Sequence, residues 1–204
     1  GKLFSRRFRT KALKDAAKAR LIADPNGDGV SRADVVIEAI VEKLEVKQSL
    51  FKSLEGKLKL GAVMATNTSS IMIEDIAAGL SDPGRLIGIH FFNPVAQMPL
   101  VEVIRGRQSR EDEVRKGCAF VTAIDKFPLI VKSNPGFLVN RVLAPYMMNA
   151  MQRLEKGEAA ELLDEAARTF GMPMGPIELA DTVGLDICAH VGHILGFSAE
   201  GSRL

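Results

Sequence analysis

Two short apolar runs in the middle of the chain carry one imidazole and one carboxylate. Residues 86–92 (LIGIHFF) and 100–104 (LVEVI) are rich in β-branched and aromatic side chains and read as strands. Only residues 93–99 separate them. A parallel crossover takes roughly a dozen residues or more, so this link must turn the chain back antiparallel. A register centred on the link sets Phe92 opposite Leu100 and His90 opposite Glu102, on one face, with Cβ atoms about 4.5–5.5 Å apart. A carboxylate beside a histidine fixes the tautomer of the ring and raises its basicity, the arrangement of a general base. The same pair also serves as a plain structural ion pair, and a slip of one residue would put the two on opposite faces. The residues around the pair decide between these readings.

The elements that must position the pair follow from hydrophobic spacing. Residues 33–40 (ADVVIEAI) form a continuous apolar run, expected of a strand buried on both faces of a parallel sheet. Leu44, Val46, Leu50, Phe51, Leu54 and Leu58 then mark a helix over 44–60 that closes near Gly61. Residues 61–66 form the next strand, 73–80 the next helix, and 86–92 the strand after that. Strand–helix–strand–helix–strand is half of a doubly wound sheet, whose ligands lie at the carboxyl ends of the strands. Residues 39–42, 67–69 and 90–93 all fall at those ends. Further on, Ser109 with Asp112 reads as a capping box opening a helix to Ala123, and 127–132 (FPLIVK) reads as a last strand. After a turn at 133–136 only helices are expected, over 137–156, 161–170 and 187–195. This divides the chain into a sheet domain, 1–134, and a helical domain, 135–204.

Several segments resemble one family. Asn67-Thr68-Ser69-Ser70, His90-Phe91-Phe92-Asn93-Pro94 and Pro99-Leu100-Val101-Glu102-Val103-Ile104 are similar to the active-site segments of the L-3-hydroxyacyl-CoA dehydrogenases. Pro135-Gly136-Phe137-Leu138-Val139-Asn140-Arg141 and Pro173-Met174-Gly175-Pro176 resemble further segments of that family, and the likeness runs in order from about residue 33 to residue 186. The resemblance implies reversible hydride transfer between C3 of a 3-hydroxyacyl-CoA and NAD. It makes His90 the base that takes the hydroxyl proton and Glu102 its electrostatic support. Ser69 and Asn140 become hydrogen-bond donors to the reacting oxygen or thioester carbonyl. Ala39, Glu42, Lys47, Asn67, Ser69 and Asn93 match positions near the ribose and nicotinamide. For Asn140 the bland alternative is a local backbone partner early in a helix, and for Glu42 and Lys47 a solvated helix start.

Composition and the remaining motifs bound this reading. A net charge of +2 favours no particular partner and gives no sign of nucleic acid. Cys118 and Cys188 lack metal-ligand spacing and read as buried free thiols in a reducing compartment, the cytoplasm of a bacterium ahead of a mitochondrial or peroxisomal matrix. No apolar run reaches the roughly 18 residues of a membrane span. The basic first twenty residues read as an amphipathic helix with Leu3, Phe4, Phe8, Ala12 and Leu13 inward. Asp24, Asn26, Asp28 and Gly29 imitate a calcium loop, but Val35 stands where the bidentate glutamate belongs. The expected metal content is none.

A dinucleotide site opens with strand, Gly-x-Gly-x-x-Gly and helix. The only Gly-x-Gly here, Gly27-Asp28-Gly29, precedes a strand instead of following one. The expected fold is therefore α/β: a truncated Rossmann-like sheet domain whose first strand–helix–strand unit is missing and whose last strands are antiparallel, followed by an all-helical domain. The chain reads as an internal fragment of a larger multifunctional fatty-acid-oxidation polypeptide, binding acyl-CoA but not turning over by itself without the pyrophosphate cradle. Apolar residues at Met147, Met148, Met151, Leu162, Leu163, Ile177 and Leu179 exceed what about 70 residues can bury, so association with a second copy or a missing helical repeat is expected. A 3-hydroxybutyryl-CoA dehydrogenase of a biosynthetic pathway and a non-catalytic binding protein on the same scaffold stay open as alternatives.

Overall fold

In the computed structural model, which describes residues 10–196, a single five-stranded sheet carries the site. A helix, α1 (Lys11–Ala19), leads into β1 (Val35–Glu38), α2 (Leu44–Glu55), β2 (Val63–Thr66), α3 (Ile73–Ala77) and β3 (Leu86–Phe91). Then come β4 (Leu100–Arg105), α4 (Glu111–Ala123) and β5 (Phe127–Lys132). The strands lie side by side in chain order. β1, β2 and β3 are parallel, β4 turns back antiparallel on β3, and β5 runs parallel to β4. The hairpin register is the one the link length requires, with His90 paired to Glu102.

Period-two alternation gives the sheet two different faces. Val63, Ala65, Ile87, Ile89, Val101 and Val103 pack with Val114 and Val121 of α4. Gly117 lets that helix approach closely, since a Cβ there would lie 2.5 Å from Ile87 Cδ1. Met64, Leu86 and Ile104 point the other way, against Phe51 of α2 and Ile73 and Ile76 of α3. The same alternation places Glu38, Thr66, His90 and Glu102 on this second face. Glu38 pairs with Thr66 across β1–β2, Thr66 with Gly88 across β2–β3, and His90 with Glu102 across β3–β4. All four are buried. A polar row thus crosses one face of an otherwise apolar sheet.

After β5 the described chain is helical: α5 (Val139–Glu155), α6 (Ala160–Phe170), α7 (Pro176–Val183) and α8 (Leu185–Ile194). Its attachment to the sheet includes Phe137, which is 2% exposed and belongs to the α2/α3 side of the core. Phe137 adopts φ 49°, a left-handed conformation uncommon for an aromatic residue. At the start of α7, the carboxylate of Asp164 on α6 accepts the N–H groups of Ile177 (2.8 Å) and Glu178 (3.1 Å). These are orphan donors of a helix amino terminus, and the Asp supplies the negative charge they favour.

The structure corrects several expectations. Ala12 and Leu13 are exposed on α1, which buries only Ala17, so no inward apolar stripe forms there; Leu3, Phe4 and Phe8 lie outside the described residues. Ser109 does not cap α4. Its hydroxyl accepts from Gly106 N (3.0 Å) and donates to Leu86 O (2.6 Å), and Arg110 occupies the cap position without a side-chain capping bond. α2 and α3 are shorter than their apolar stripes, and Leu58 and Leu80 reach the core from the irregular chain beyond them. α7 was not expected, although Pro176 in its first turn is a start signal. Asp24 organises its own turn, accepting from Asp28 N (3.0 Å) and Gly29 N (2.7 Å).

Candidate active site

β3 and β4 hold the imidazole and the carboxylate in contact, His90 Nδ1 lying 2.9 Å from Glu102 Oε2. Glu102 is fully buried and His90 is 6% exposed. The second oxygen, Glu102 Oε1, accepts the N–H groups of Leu138 (3.0 Å) and Val139 (2.9 Å) at the start of α5. One carboxylate therefore ties the histidine to the helical part. A carboxylate oxygen only accepts, so Nδ1 carries the hydrogen, and in the neutral ring Nε2 presents its lone pair. No hydrogen bond to Nε2 is formed among the described residues. The ring lies edge-on to Phe92, with centroids 4.6 Å apart, and tilted against Phe137 at 5.7 Å. Both aromatic side chains limit its rotation. The 93–99 link that closes the hairpin is held by Lys126 Nζ, which donates to Val95 O (2.6 Å) and Met98 O (2.7 Å).

The second cluster lies at the ends of β1 and β2. Lys47 Nζ sits between Glu38 Oε1 (2.6 Å) and Glu42 Oε2 (3.0 Å), and its side chain is 1% exposed. Glu42 Oε1 accepts from the Thr68 hydroxyl (2.5 Å), the Ser70 hydroxyl (2.9 Å) and Ser69 N (3.1 Å). Partial burial pushes the Glu42 carboxyl up, but hydrogen bonds from Thr68 and Lys47, the Lys47 charge and the Ser70 hydroxyl outweigh it and hold the group below its ordinary range. Nearby, Asn67 Oδ1 accepts from Phe91 N (3.0 Å), which ties the turn after β2 to the end of β3 beside His90.

The residues singled out from sequence fall into different situations. His90 and Glu102 are in direct contact, and Asn140 lies in the first turn of the helix whose amino end Glu102 holds. Ser69 is half-buried on the turn that Glu42 organises, its hydroxyl making no hydrogen bond among the described residues. Ala39 and Asn93 are exposed beyond β1 and β3. Lys47 differs from a solvated helix start: its ammonium is enclosed by two glutamates, so it faces a ligand only through Glu42. Asn67 has its carbonyl oxygen engaged, leaving its amide nitrogen as the free end. Glu38, Thr66, Thr68 and Ser70 were not singled out. The signal available was a lone acid closing an apolar strand and the alternating hydroxyls of Thr66, Thr68 and Ser70. No group of three or more His, Cys, Asp or Glu side chains suited to a metal occurs among the described residues.

A family model for the 3-hydroxyacyl-CoA dehydrogenase NAD binding domain matches residues 2–134, and one for the 3-hydroxyacyl-CoA dehydrogenase C-terminal domain matches residues 136–203. The chain is 41% identical over 201 residues to the fatty acid oxidation complex subunit alpha of Psychrobacter sp. (strain PRwf-1), covering 98% of this chain and 28% of that one. It is 42% identical over 190 residues to the subunit of the same name from Vibrio cholerae, covering 93% of this chain and 27% of that one. It thus spans little more than a quarter of the length of these curated relatives. Among solved structures, 3-hydroxybutyryl-CoA dehydrogenase from Escherichia coli K12 matches with a TM-score of 0.86 at 40% identity, over 94% of this chain and 41% of that chain. (S)-3-hydroxybutyryl-CoA dehydrogenase PaaH1 from Ralstonia eutropha matches with a TM-score of 0.86 at 38% identity, over 95% of this chain and 69% of that chain. By sequence and by fold, the chain belongs to the 3-hydroxyacyl-CoA dehydrogenase family.

Proposed function

We propose that this chain carries the acid–base machinery of an NAD-dependent L-3-hydroxyacyl-CoA dehydrogenase that interconverts 3-hydroxyacyl-CoA and 3-ketoacyl-CoA in fatty-acid β-oxidation. The observation that carries the reading is the buried Glu102 carboxylate, which fixes His90 at Nδ1 and leaves Nε2 available. In the oxidative direction His90 Nε2 takes the proton of the substrate hydroxyl, and Glu102 stabilises the imidazolium that results. Base catalysis of this kind is worth about 10²–10⁴-fold. Ser69 and Asn140 donate hydrogen bonds to the reacting oxygen or the thioester carbonyl and hold the substrate.

The donor set at the strand ends fits a nicotinamide cofactor. The Glu42 carboxylate is a partly exposed acceptor suited to ribose hydroxyls, and Asn67, Asn93 and the exposed backbone at Ala39 follow the carboxyl ends of β2, β3 and β1. Lys47 contributes by fixing Glu42. Bound NAD supplies the hydride acceptor; the protein supplies position and field. Exposed Val142 (66%), Leu162 (59%) and Phe170 (88%) on the helices support packing against a second copy or a further helical segment of a larger polypeptide. Both cysteines are free, which suits a reducing, cytoplasmic setting.

Calorimetric titration of the chain with acetoacetyl-CoA, then with NAD, tests the reading. Saturable acetoacetyl-CoA binding that weakens in Ser69→Ala and Asn140→Ala is expected. Absence of any acyl-CoA binding would overturn it, and affinity across a chain-length series of 3-ketoacyl-CoA thioesters separates a long-chain from a hydroxybutyryl-CoA role.

A further inference from the structure

We propose that Glu38 is a positioning residue, acting through two hydrogen-bonded arms on the turn that carries Ser69. This rests on the reading of Ser69 as part of the substrate site. Glu38 is 4% exposed, and its carboxylate is shared among three donors: Lys47 Nζ (2.6 Å) and Ile40 N (2.6 Å) on Oε1, and the Thr66 hydroxyl (2.7 Å) on Oε2.

The first arm runs from Glu38 through Lys47 to Glu42, and from Glu42 to Thr68, Ser69 N and Ser70. The second runs through Thr66, whose oxygen accepts from Thr68 N (3.2 Å). The direction of each bond is forced. A carboxylate only accepts, so the Thr66 hydroxyl must donate to Glu38 and turn a lone pair to the Thr68 N–H. By the same logic the Thr68 hydroxyl donates to Glu42 and accepts from Ser70 N (3.3 Å) and Ile71 N (2.9 Å). One buried acid, Glu38, and one partly buried acid, Glu42, thus set the polarity of two threonines, and the threonines shape the turn. Lys47 is the bridge: without Glu38 its ammonium has one carboxylate where it had two and is free to draw Glu42 away from residues 68–70.

Glu38→Gln keeps the shape and removes the charge. In the full 204-residue chain, amide exchange at Thr68, Ser69, Ser70 and Ile71 is expected to quicken at least tenfold, with Ile89 and Val103 on the β3–β4 pair unchanged. Thr66→Val, a milder change, is expected to quicken Thr68 alone. Acetoacetyl-CoA binding should weaken several-fold in Glu38→Gln, and the same change in a Glu42→Gln background should add less than it does alone, because the Lys47–Glu42 arm is already cut and only the Thr66 arm is left to lose. A uniform rise in exchange across all strands, no change at residues 68–71, or fully additive effects in the double variant would overturn the proposal. If the unsubstituted chain bound no acyl-CoA, the functional reading would fall, while the exchange data would still decide the relay.

Discussion

Replacing Glu102 by glutamine is a sharp perturbation because it preserves shape and turns one acceptor into a donor. Glu102 Oε1 accepts Leu138 N and Val139 N, and Oε2 faces His90 Nδ1. A glutamine can keep its carbonyl on the two backbone donors only by presenting its NH₂ to His90. Nδ1 must then accept, the ring proton moves to Nε2, and the base is lost. The opposite rotamer keeps the catalytic tautomer but strands two part-buried N–H groups, at about 1–3 kcal/mol each. At about 1.4 kcal/mol per tenfold, the wrong tautomer is favoured by at least about 30-fold. Glu102→Gln should therefore lose about 30-fold to 10⁴-fold in any 3-hydroxyacyl-CoA oxidation. The fold should lose only about 1–4 kcal/mol, as three charge-assisted bonds become neutral ones. Nitrogen-15 spectra of the His90 ring read the tautomer directly, and urea unfolding reads the stability. A ring that keeps its proton on Nδ1 in the variant would refute the reasoning, as would fast exchange of the Leu138 and Val139 amides.

Three further outcomes follow from other contacts. The folded-state Glu42 carboxyl lies below its ordinary value of 4.5, so the stability it contributes is complete above that pH and is lost as pH falls through the lowered value. Chemical unfolding of Glu42→Gln and the unsubstituted chain should therefore differ most near neutrality and converge in acid; a pH-independent gap would count against the assignment. Ser133→Ala removes the hydroxyl that accepts from Ile73 N (2.9 Å) at the start of α3, and urea unfolding should show a loss of about 0.5–2 kcal/mol. Phe137→Ala empties a buried ring site in the α2/α3 side of the core and should cost about 3–5 kcal/mol. A loss under about 1 kcal/mol would show that Phe137 does not anchor the helices.

Much of the site was legible in the chain because it depends on local constraints. A link of residues 93–99 leaves one way to join two strands, and period-two alternation then brings His90 to Glu102. β5 was read at its full extent, 127–132, because a β-branched run between turn signals has few other uses. What stayed hidden depends on which groups are buried together. Glu38 looks like an acid ending an apolar strand, and Lys47 like a solvated helix residue, until β1, β2 and α2 meet and enclose the ammonium between two carboxylates. Ser109 with Asp112 has capping-box spacing, yet Leu86 O and Gly106 N compete for the hydroxyl and win. The second oxygen of Glu102 bonds to amides at Leu138 and Val139, far along the chain, and spacing cannot announce such a partner. Periodicity states which face of an element is buried. Where a buried polar group finds its hydrogen bonds is settled only when distant elements pack, since leaving it unpaired costs about as much as any single contact contributes.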